Sequence, residues 1–174
     1  MHWVHAAAFF VLLASGLCLY LPSLAEVVGR RPLLKHVHVY TALAWAVAIV
    51  AVVVVGDRRS LARTVNEVDY LRTDTRLNKG QKLNALLTAV FAILFAVSGF
   101  DLWLGERNTS YRLTNALLVH DWLMYASLVL VVGHLYFVLI LPSTRHSLSG
   151  MTRGWVRRDY AERQHPEWLA ELER

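Results

Sequence analysis

The chain has 174 residues, of which 56% are hydrophobic and 11% are aromatic, and this composition is too apolar for a soluble domain of that length. The single cysteine, Cys18, excludes a disulfide framework and a metal site built on paired cysteines. The formal charge of +5 does not require nucleic acid as a partner, because basic loops on anionic lipid headgroups account for it. The composition therefore predicts a membrane protein in contact with lipid.

Four apolar segments are long enough to cross the hydrocarbon core of a bilayer, which takes about 20 helical residues. In chain order they are Trp3 to Leu21, Val37 to Val55, Leu83 to Leu104 and Ala116 to Leu141. Helix-stopping residues stand just past their ends, namely Pro22, Gly56, Gly105 and Pro142. Because backbone groups in lipid have to bond within their own segment, each run is predicted to be helical. We predict an all-α, integral membrane four-helix bundle over residues 1–144 and a cytoplasmic tail over 145–174.

The first segment carries two histidines at its start, His2 and His5, which share one helix face. Ionisable side chains inside membrane spans are costly and usually mark a functional site. This segment also has features of a signal peptide, with Ser23 to Ala25 as a cleavage site. A membrane span is the preferred interpretation, because no basic region precedes the apolar run.

The second segment begins with another pair, His36 and His38, which lie about 200° apart on a helix, so only one can face the bundle. His38 is followed by Thr41 and Ala42, small residues that leave room on that face for a flat ligand. His36 adjoins Lys35 and is expected to be wetter. We therefore favour His38 as the inward-facing residue.

Basic residues predict the orientation, because loops rich in Lys and Arg are retained in the cytoplasm. The segment 57–82 and the tail hold thirteen of them between them, against five in the two opposite loops. The basic residues of that segment are Arg58, Arg59, Arg63, Arg72, Arg76, Lys79 and Lys82, and those of the tail are Arg145, Arg153, Arg157, Arg158, Arg163 and Arg174. Both termini are therefore predicted to be cytoplasmic.

The fourth segment carries His120 and His134, whose separation of 14 residues places both rings on nearly the same helix face. They lie about 21 Å apart along the axis, one near each membrane surface. With the predicted orientation, His120 matches the depth of His38, and His134 matches the depth of His2 or His5.

Two imidazoles that face each other across a helical bundle are the axial ligand set of a haem iron. The matched depths pair His38 with His120 and His2 with His134, while His36 and His5 remain alternatives at this point. No Cys-x-x-Cys-His motif is present, so such a haem would be held by coordination alone. The alternative is a haem-free helical membrane carrier that uses these histidines as a proton path.

Several segments together resemble the formate dehydrogenase gamma subunit family, whose members are di-haem cytochromes b. The resemblance covers nearly the whole chain. Its motifs are His2-Trp3 with Phe9-Phe10 and Ser15-Gly16, Asn78-x-Gly80-Gln81-Lys82, Leu117-Leu118-Val119-His120, His134-Leu135-Tyr136, the tail segment Ser147-Leu148-x-Gly150-Met151-x-x-Gly154-x-Val156, and His165-Pro166-x-Trp168.

This resemblance implies two haem b groups whose irons are bound by His2, His38, His120 and His134. It implies an electron-transfer subunit of a respiratory oxidoreductase in the bacterial cytoplasmic membrane, with iron–sulfur and catalytic subunits as partners. The chain has no substrate chemistry of its own beyond quinone. Related b-type subunits that serve a hydrogenase, a thiosulfate reductase or another molybdenum oxidoreductase are the alternative.

The resemblance also implies a site for quinone, either menaquinone or ubiquinone, at the inner end of the third helix. Asn78, Gly80 and Gln81 resemble the quinone-contacting segment of the family, and His134 is expected at the same depth. Asn and Gln amides hydrogen-bond quinone carbonyls, and a glycine permits close backbone approach. The alternative is an ordinary helix start with polar residues at the headgroups. In the tail, His146 and His165 are expected to be surface residues.

Overall fold

The computed structural model describes residues 2–71 and 77–173, and every regular element in these residues is a helix. In chain order the α-helices are α1 (His2–Tyr20), α2 (Pro22–Val28), α3 (Arg31–Val55), α4 (Arg58–Val68), α5 (Lys79–Arg107), α6 (Ala116–Leu135), α7 (Ser147–Arg153), α8 (Arg158–Gln164) and α9 (Pro166–Leu172). A short 3₁₀ helix (Thr109–Tyr111) precedes α6, and a π-helical turn (Tyr136–Ile140) extends it. The predicted all-α class is confirmed.

Four of these helices, α1, α3, α5 and α6 with its π-helical extension, are long and apolar enough to cross a membrane. They correspond to the four predicted segments. The predicted cytoplasmic location of both termini and the boundary at residue 144 stay predictions. Three of the arginines counted for orientation, Arg72, Arg76 and Arg174, lie outside the described residues.

Proline and glycine set most of the helix limits. The second span begins at Arg31 rather than at the predicted Val37, because Pro32 occupies the first turn, where its missing N–H costs no hydrogen bond. This span ends at Gly56 as predicted, with the Gly56 N–H donating to the Val52 carbonyl at 2.9 Å. After α1, Pro22 both ends one helix and starts the next.

Gly105 does not end the third span, which continues to Arg107, so this predicted helix stop is wrong. The glycine serves a close contact instead. A Cβ atom at Gly105 would lie 2.8 Å from the Arg112 Cβ and 3.1 Å from the Arg112 Cα. The missing side chain therefore lets the backbone after the 3₁₀ helix return against α5.

The described residues form two compact units, and the first comprises Met1–Asp57 and Ala96–Ala116. Within it, α1 packs along α3. An ion pair joins Lys35 to Glu106. The Asp101 carboxylate accepts a hydrogen bond from the Leu113 N–H, with oxygens at 3.0 and 3.2 Å. Polar contacts thus hold the stretch 96–116 in a defined turn.

The second unit comprises Arg58–Phe95 and Leu117–Arg174. In it, α8 packs against α9, and α7 packs against the π-helical turn. Tyr160 and Ala161 of α8 are buried. The tail therefore folds as three short helices that belong to this unit.

The spans have an apolar exterior and several polar buried positions. Large side chains such as Val54 and Val129 are 74% and 75% exposed. The buried polar or charged residues of the spans are Ser15, Lys82, Ser98, Asp101 and Ser127. Lipid is as apolar as valine, so buried small and polar residues hold membrane helices together, and buried ionisable ones mark function.

Candidate functional site

The four predicted ligand histidines are divided between the two units. His2 and His38 belong to the first unit, and His120 and His134 belong to the second. Each is therefore described within its own unit, and the pairing of His38 with His120 and of His2 with His134 continues to rest on the sequence.

His38 contacts α1 through a hydrogen bond at its Nδ1. The Ser15 Oγ lies 2.9 Å from the His38 Nδ1. The Ser15 hydroxyl donates its proton to a backbone carbonyl, that of Val11 at 2.7 Å. With its single proton given to that carbonyl, the Ser15 oxygen can accept from the His38 Nδ1–H. A neutral imidazole in this tautomer has its lone pair on Nε2, the atom that can bind a metal.

His5 has the opposite arrangement. The Trp45 indole N–H donates to the His5 Nδ1 at 3.1 Å, and an indole nitrogen can only donate. The His5 Nδ1 is therefore an acceptor, and the proton of the neutral ring is on Nε2. This tautomer does not present an Nε2 lone pair to an iron, so the contact favours His2 over His5.

The two remaining histidines at the span starts are exposed. His36 stacks on the Tyr40 ring with centroids 5.8 Å apart and planes inclined by 12°. His2 meets the Trp3 ring edge-on, with centroids 5.1 Å apart. The exposure of His36 beside half-buried His38 supports the preference for His38.

In the second unit, His120 and His134 are both half-buried on α6. His120 packs edge-on against Phe95, with ring centroids 5.1 Å apart. His134 stands in the last α-helical turn, directly before the π-helical turn. Such π-helical turns occur frequently at functional sites, because they re-aim the side chains of one turn.

Asn78 and Gln81, the predicted quinone contacts, form a reciprocal cap at the start of α5. The Gln81 N–H donates to the Asn78 Oδ1, and the Asn78 N–H donates to the Gln81 Oε1, each at 3.0 Å. This is the capping-box arrangement that satisfies the first helix N–H groups. The cap uses only the two amide oxygens, so the amide NH₂ groups are the donors that remain for a ligand.

Lys82 lies one turn further along α5 and is 2% exposed, the most buried large side chain of the described residues. Its ammonium donates to the Asp69 carbonyl oxygen at 2.9 Å. This bond connects the start of α5 to the turn after α4. A buried charge satisfied in this way fixes the end of the helix.

Two clefts adjoin the start of α5, and tail residue His165 lines both of them. The first, of about 260 Å³, is lined by Asn78, Lys79 and Lys82 from the helix start and by Gln164 to Glu167 from the tail. The second, of about 220 Å³, includes Gln81 and Trp168. His165 was not predicted to lie in this region. The His165-Pro166-x-Trp168 pattern of the tail was the sequence feature that could have indicated it.

His146 and His165 are half-buried rather than surface residues, so that expectation is wrong. His146 accepts a hydrogen bond from the Arg157 N–H at 3.0 Å. Its ring meets Trp155 and Tyr160, and Tyr160 meets His165, with centroids 5.5 to 5.9 Å apart. Burial raises the pKa of the Tyr160 hydroxyl, and a hydrogen bond with Ser147 opposes that shift. Aromatic packing therefore holds the tail helices together.

An all-helical chain with apolar spans and histidines held inside them has the features of a membrane cytochrome. The chain matches the prokaryotic cytochrome b561 family over residues 1–154 and belongs to that family. It is thus a multi-pass membrane protein of a prokaryotic electron-transport family, and membership of a cytochrome b family implies haem b.

The curated relatives include two cytochrome b subunits from Escherichia coli K12. The formate dehydrogenase cytochrome b556(fdo) subunit is 23% identical over 188 residues, which cover 98% of this chain and 88% of the relative. The cytochrome b556(Fdn) subunit of the nitrate-inducible formate dehydrogenase is 23% identical over 194 residues, covering 99% and 87%. No solved structure matches the chain. The resemblance to formate dehydrogenase cytochrome b subunits is confirmed.

The residues present fit a b-type haem. A haem that is not attached through Cys-x-x-Cys-His needs neutral imidazoles with a lone pair directed at the iron. The contact of the His38 Nδ1 with Ser15 is compatible with this requirement, whereas the contact of the His5 Nδ1 with the Trp45 donor is not. Hydrogen bonding of the other ring nitrogen is also the usual second feature of a metal-binding histidine.

Proposed function

We propose that the chain is the di-haem cytochrome b subunit that passes electrons from a formate dehydrogenase-like partner to membrane quinone. The observation that carries this proposal is the contact of the Ser15 Oγ with the Nδ1 of His38, a histidine inside a span, in a chain of a cytochrome b family; a ring held in this way leaves Nε2 for iron. Relatives named as formate dehydrogenase subunits support the donor, because they match over nearly their whole length.

In this proposal, His38 and His120 hold one haem near the outer surface, and His2 and His134 hold the other near the inner surface. Bound haem b supplies one-electron exchange between ferrous and ferric iron. The chain contributes the axial imidazoles and their orientation, and its apolar spans keep water away from them.

Single histidine variants test the two pairs. We expect His38→Ala and His120→Ala each to remove the same haem, and His2→Ala and His134→Ala each to remove the other. The measurement is the dithionite-reduced spectrum together with the haem content per chain. His36→Ala is the matched control, since this exposed neighbour should retain both haems. A wild-type protein without a Soret band would instead support the haem-free proton path, and loss of both haems from one variant would contradict the pairs.

The same subunit is proposed to bind quinone where α5 begins. The Asn78 and Gln81 NH₂ groups are suitable donors to a quinone carbonyl, because the cap uses only their oxygens. Gly80 lies between them and carries no side chain to block approach. His134 belongs to the same unit.

Proton supply at this site is proposed to involve the titratable groups of the adjoining cleft. His165 and Lys82 both line it, together with the Asn78 amide. Quinone reduction takes up protons, and the imidazole and the ammonium that line this cleft are groups that can carry them to the site. The tail would thus complete the inner site.

The cap and the quinone role can be separated by substitution. A variant with both Asn78→Ser and Gln81→Glu keeps a Ser-x-x-Glu capping box but removes both NH₂ donors. We expect its haem content and thermal stability to be retained, whereas reoxidation of the reduced haems by a menaquinone analogue slows. Asn66→Ser, which changes an exposed amide in α4, is the control. Unchanged reoxidation in the double variant would place the site elsewhere.

The proposed orientation has both termini in the cytoplasm of a bacterial cell and the iron–sulfur subunit at the outer face. It is supported by the count of thirteen basic residues against five. A C-terminal fusion to a fluorescent protein should be bright, whereas a fusion to a phosphatase that needs the periplasm should be inactive. The reverse result would invert the topology. If a hydrogenase or another molybdenum oxidoreductase co-purified with the chain, that enzyme rather than formate dehydrogenase would be the electron donor.

A further inference from the structure

We propose that Ser15 is a positioning residue for His38, which selects the ring tautomer and sets the electron-donating strength of the nitrogen that binds iron. The proposal rests on the proposed role of His38 as a haem ligand. In this proposal, a residue of α1 supports a haem ligand that lies in α3.

The position of Ser15 fits this role. The residue is 5% exposed and lies at the contact between α1 and α3. Its hydroxyl donates to the Val11 carbonyl at 2.7 Å and lies 3.2 Å from the Leu12 carbonyl. Carbonyls of α1 can thus accept the hydroxyl proton, which leaves the Ser15 oxygen to accept from the His38 ring at 2.9 Å. The Leu12 carbonyl is a second group of α1 that hydrogen-bonds this ring.

Gly16 holds the ring against the same point of α1. A Cβ atom at Gly16 would lie 3.3 Å from the His38 Cε1 and 3.7 Å from the Nδ1, which is tighter than most side chains tolerate. The small dipeptide Ser15-Gly16 thus lets the imidazole approach close enough to bond. One residue supplies the acceptor and the next supplies the space.

The hydrogen bond has a chemical consequence at the opposite nitrogen. An acceptor at Nδ1–H draws the proton outward and increases the basicity of Nε2. A more basic ligand stabilises ferric over ferrous iron and so lowers the reduction potential. Loss of the acceptor should therefore raise the potential of the haem that His38 binds.

The alternative is that Ser15 only bonds its own helix backbone, as serines in membrane helices commonly do. Ser127 of α6 provides the comparison. It is 4% exposed, and its hydroxyl donates to the Met124 carbonyl at 2.9 Å. Ser127→Ala therefore measures what the loss of a buried backbone-bonded hydroxyl does by itself.

The experiment compares Ser15→Ala, Ser15→Thr and Ser127→Ala in the intact complex in membranes. Potentiometric titration and low-temperature EPR report each haem separately from turnover. We expect Ser15→Ala to shift the potential of one haem to a more positive value, to change its EPR signal and to weaken its retention about 10-fold. Ser15→Thr, which keeps a hydroxyl, and Ser127→Ala should resemble the wild type.

Loss of that single haem in Ser15→Ala, with the other haem retained, would also support the proposal. A wild-type potential and EPR signal in Ser15→Ala would overturn it, as would an equal shift in Ser15→Thr or Ser127→Ala. The variant His38→Ala distinguishes a failure of the ligand assignment from a failure of the Ser15 proposal. If this variant retains both haems, the ligand assignment fails, whereas loss of one haem leaves a negative Ser15 result to count against Ser15 alone.

Discussion

At the scale of single residues, α1 and α3 meet through two histidine contacts of opposite polarity. The Ser15 oxygen is assigned as the acceptor of the His38 Nδ1–H, and the His5 ring accepts from the Trp45 indole. The first contact leaves the lone pair on Nε2, and the second places the proton there. Two histidines of similar burial are thus suited to different tasks, one to metal binding and the other to helix packing.

This difference predicts which histidine of α1 binds the inner haem. We expect His2→Ala to reduce the haem content by about half, since one of two bis-histidine sites is lost. His5→Ala should retain both haems, with a modest loss of stability from the broken hydrogen bond to Trp45. The pyridine haemochrome assay on purified protein measures the content.

Trp45→Phe is the control for the loss of stability expected in His5→Ala, because it removes the hydrogen-bond donor and leaves His5 in place. Absence of one haem from His5→Ala, with both present in His2→Ala, would reverse the assignment.

The residue level also shows what the sequence could predict. The separation of His36 and His38 on a helix allows only one of them to face the bundle, and the small residues Thr41 and Ala42 led to the preference for His38. The exposure of His36 supports it. Helix geometry could not choose between His2 and His5, because the two share a face, and the choice of His2 came from the family resemblance. The structural distinction between them depends on the Trp45 donor from another helix, and neither spacing nor composition reports such a contact.

At the scale of elements, the limits of α5 show how local signals compete with packing. Its start is set by the cap of Asn78 and Gln81, a pattern readable from sequence. Its end was predicted at Gly105 because glycine commonly stops helices, yet the helix continues. The glycine meets a backbone that approaches from later in the chain, and such a contact is invisible in the local sequence.

The close contact at Gly105 predicts a large effect from a small substitution. Gly105→Ala should destabilise the protein by about 1–3 kcal/mol, because the added methyl would lie 2.8 Å from the Arg112 Cβ. Thermal unfolding in detergent measures the change. Adding Arg112→Gly should recover part of the loss, since the opposing atoms are removed. Additive losses in the double variant would show that the contact is not the cause.

The tail helix α8 should be sensitive to acid. Hydrogen bonds from Arg157 hold the pKa of the Asp159 carboxyl at about 2, with Arg163 adding to the effect, against an ordinary value of 3.8. A depressed folded pKa means that the carboxylate stabilises the helix above the ordinary value. This contribution is then lost as the pH falls from 3.8 towards about 2.

We expect α8 amides to exchange hydrogen faster in Asp159→Asn than in the wild type at about pH 5, and equally fast at about pH 1, below the folded pKa. Each pair of proteins is compared at one pH. Because these ion pairs are exposed, the difference in exchange rate should be small, and high salt should reduce it further. A difference that persists below the folded pKa would exclude the carboxylate as its source.

At the scale of the whole molecule, the proposed orientation would place the donor and the quinone site at opposite sides of the membrane. Electrons would be delivered at the outer face, and the quinone segment at the start of α5 is predicted to be cytoplasmic. If quinone takes its protons from the inner side, each turnover moves charge across the bilayer. The apolar spans are suited to this because they exclude water between the two surfaces.

Proteoliposomes that contain the purified complex should therefore develop a membrane potential when formate and a menaquinone analogue are added. A voltage-sensitive dye follows the signal, and a potassium ionophore should abolish it while turnover continues. Turnover that proceeds at a normal rate without any potential would require donor and quinone sites on the same side.

The bond from the Lys82 ammonium to the Asp69 carbonyl also affects how the protein responds to chemical labelling. An acylating reagent needs an accessible, deprotonated amine, and Lys82 is 2% exposed whereas its neighbour Lys79 is exposed. In the folded protein, peptide mass analysis should find acyl groups on Lys79 long before Lys82. The labelling ratio of the two lysines therefore reports whether the contact between Lys82 and Asp69 is intact, in whole cells as well as in the purified protein.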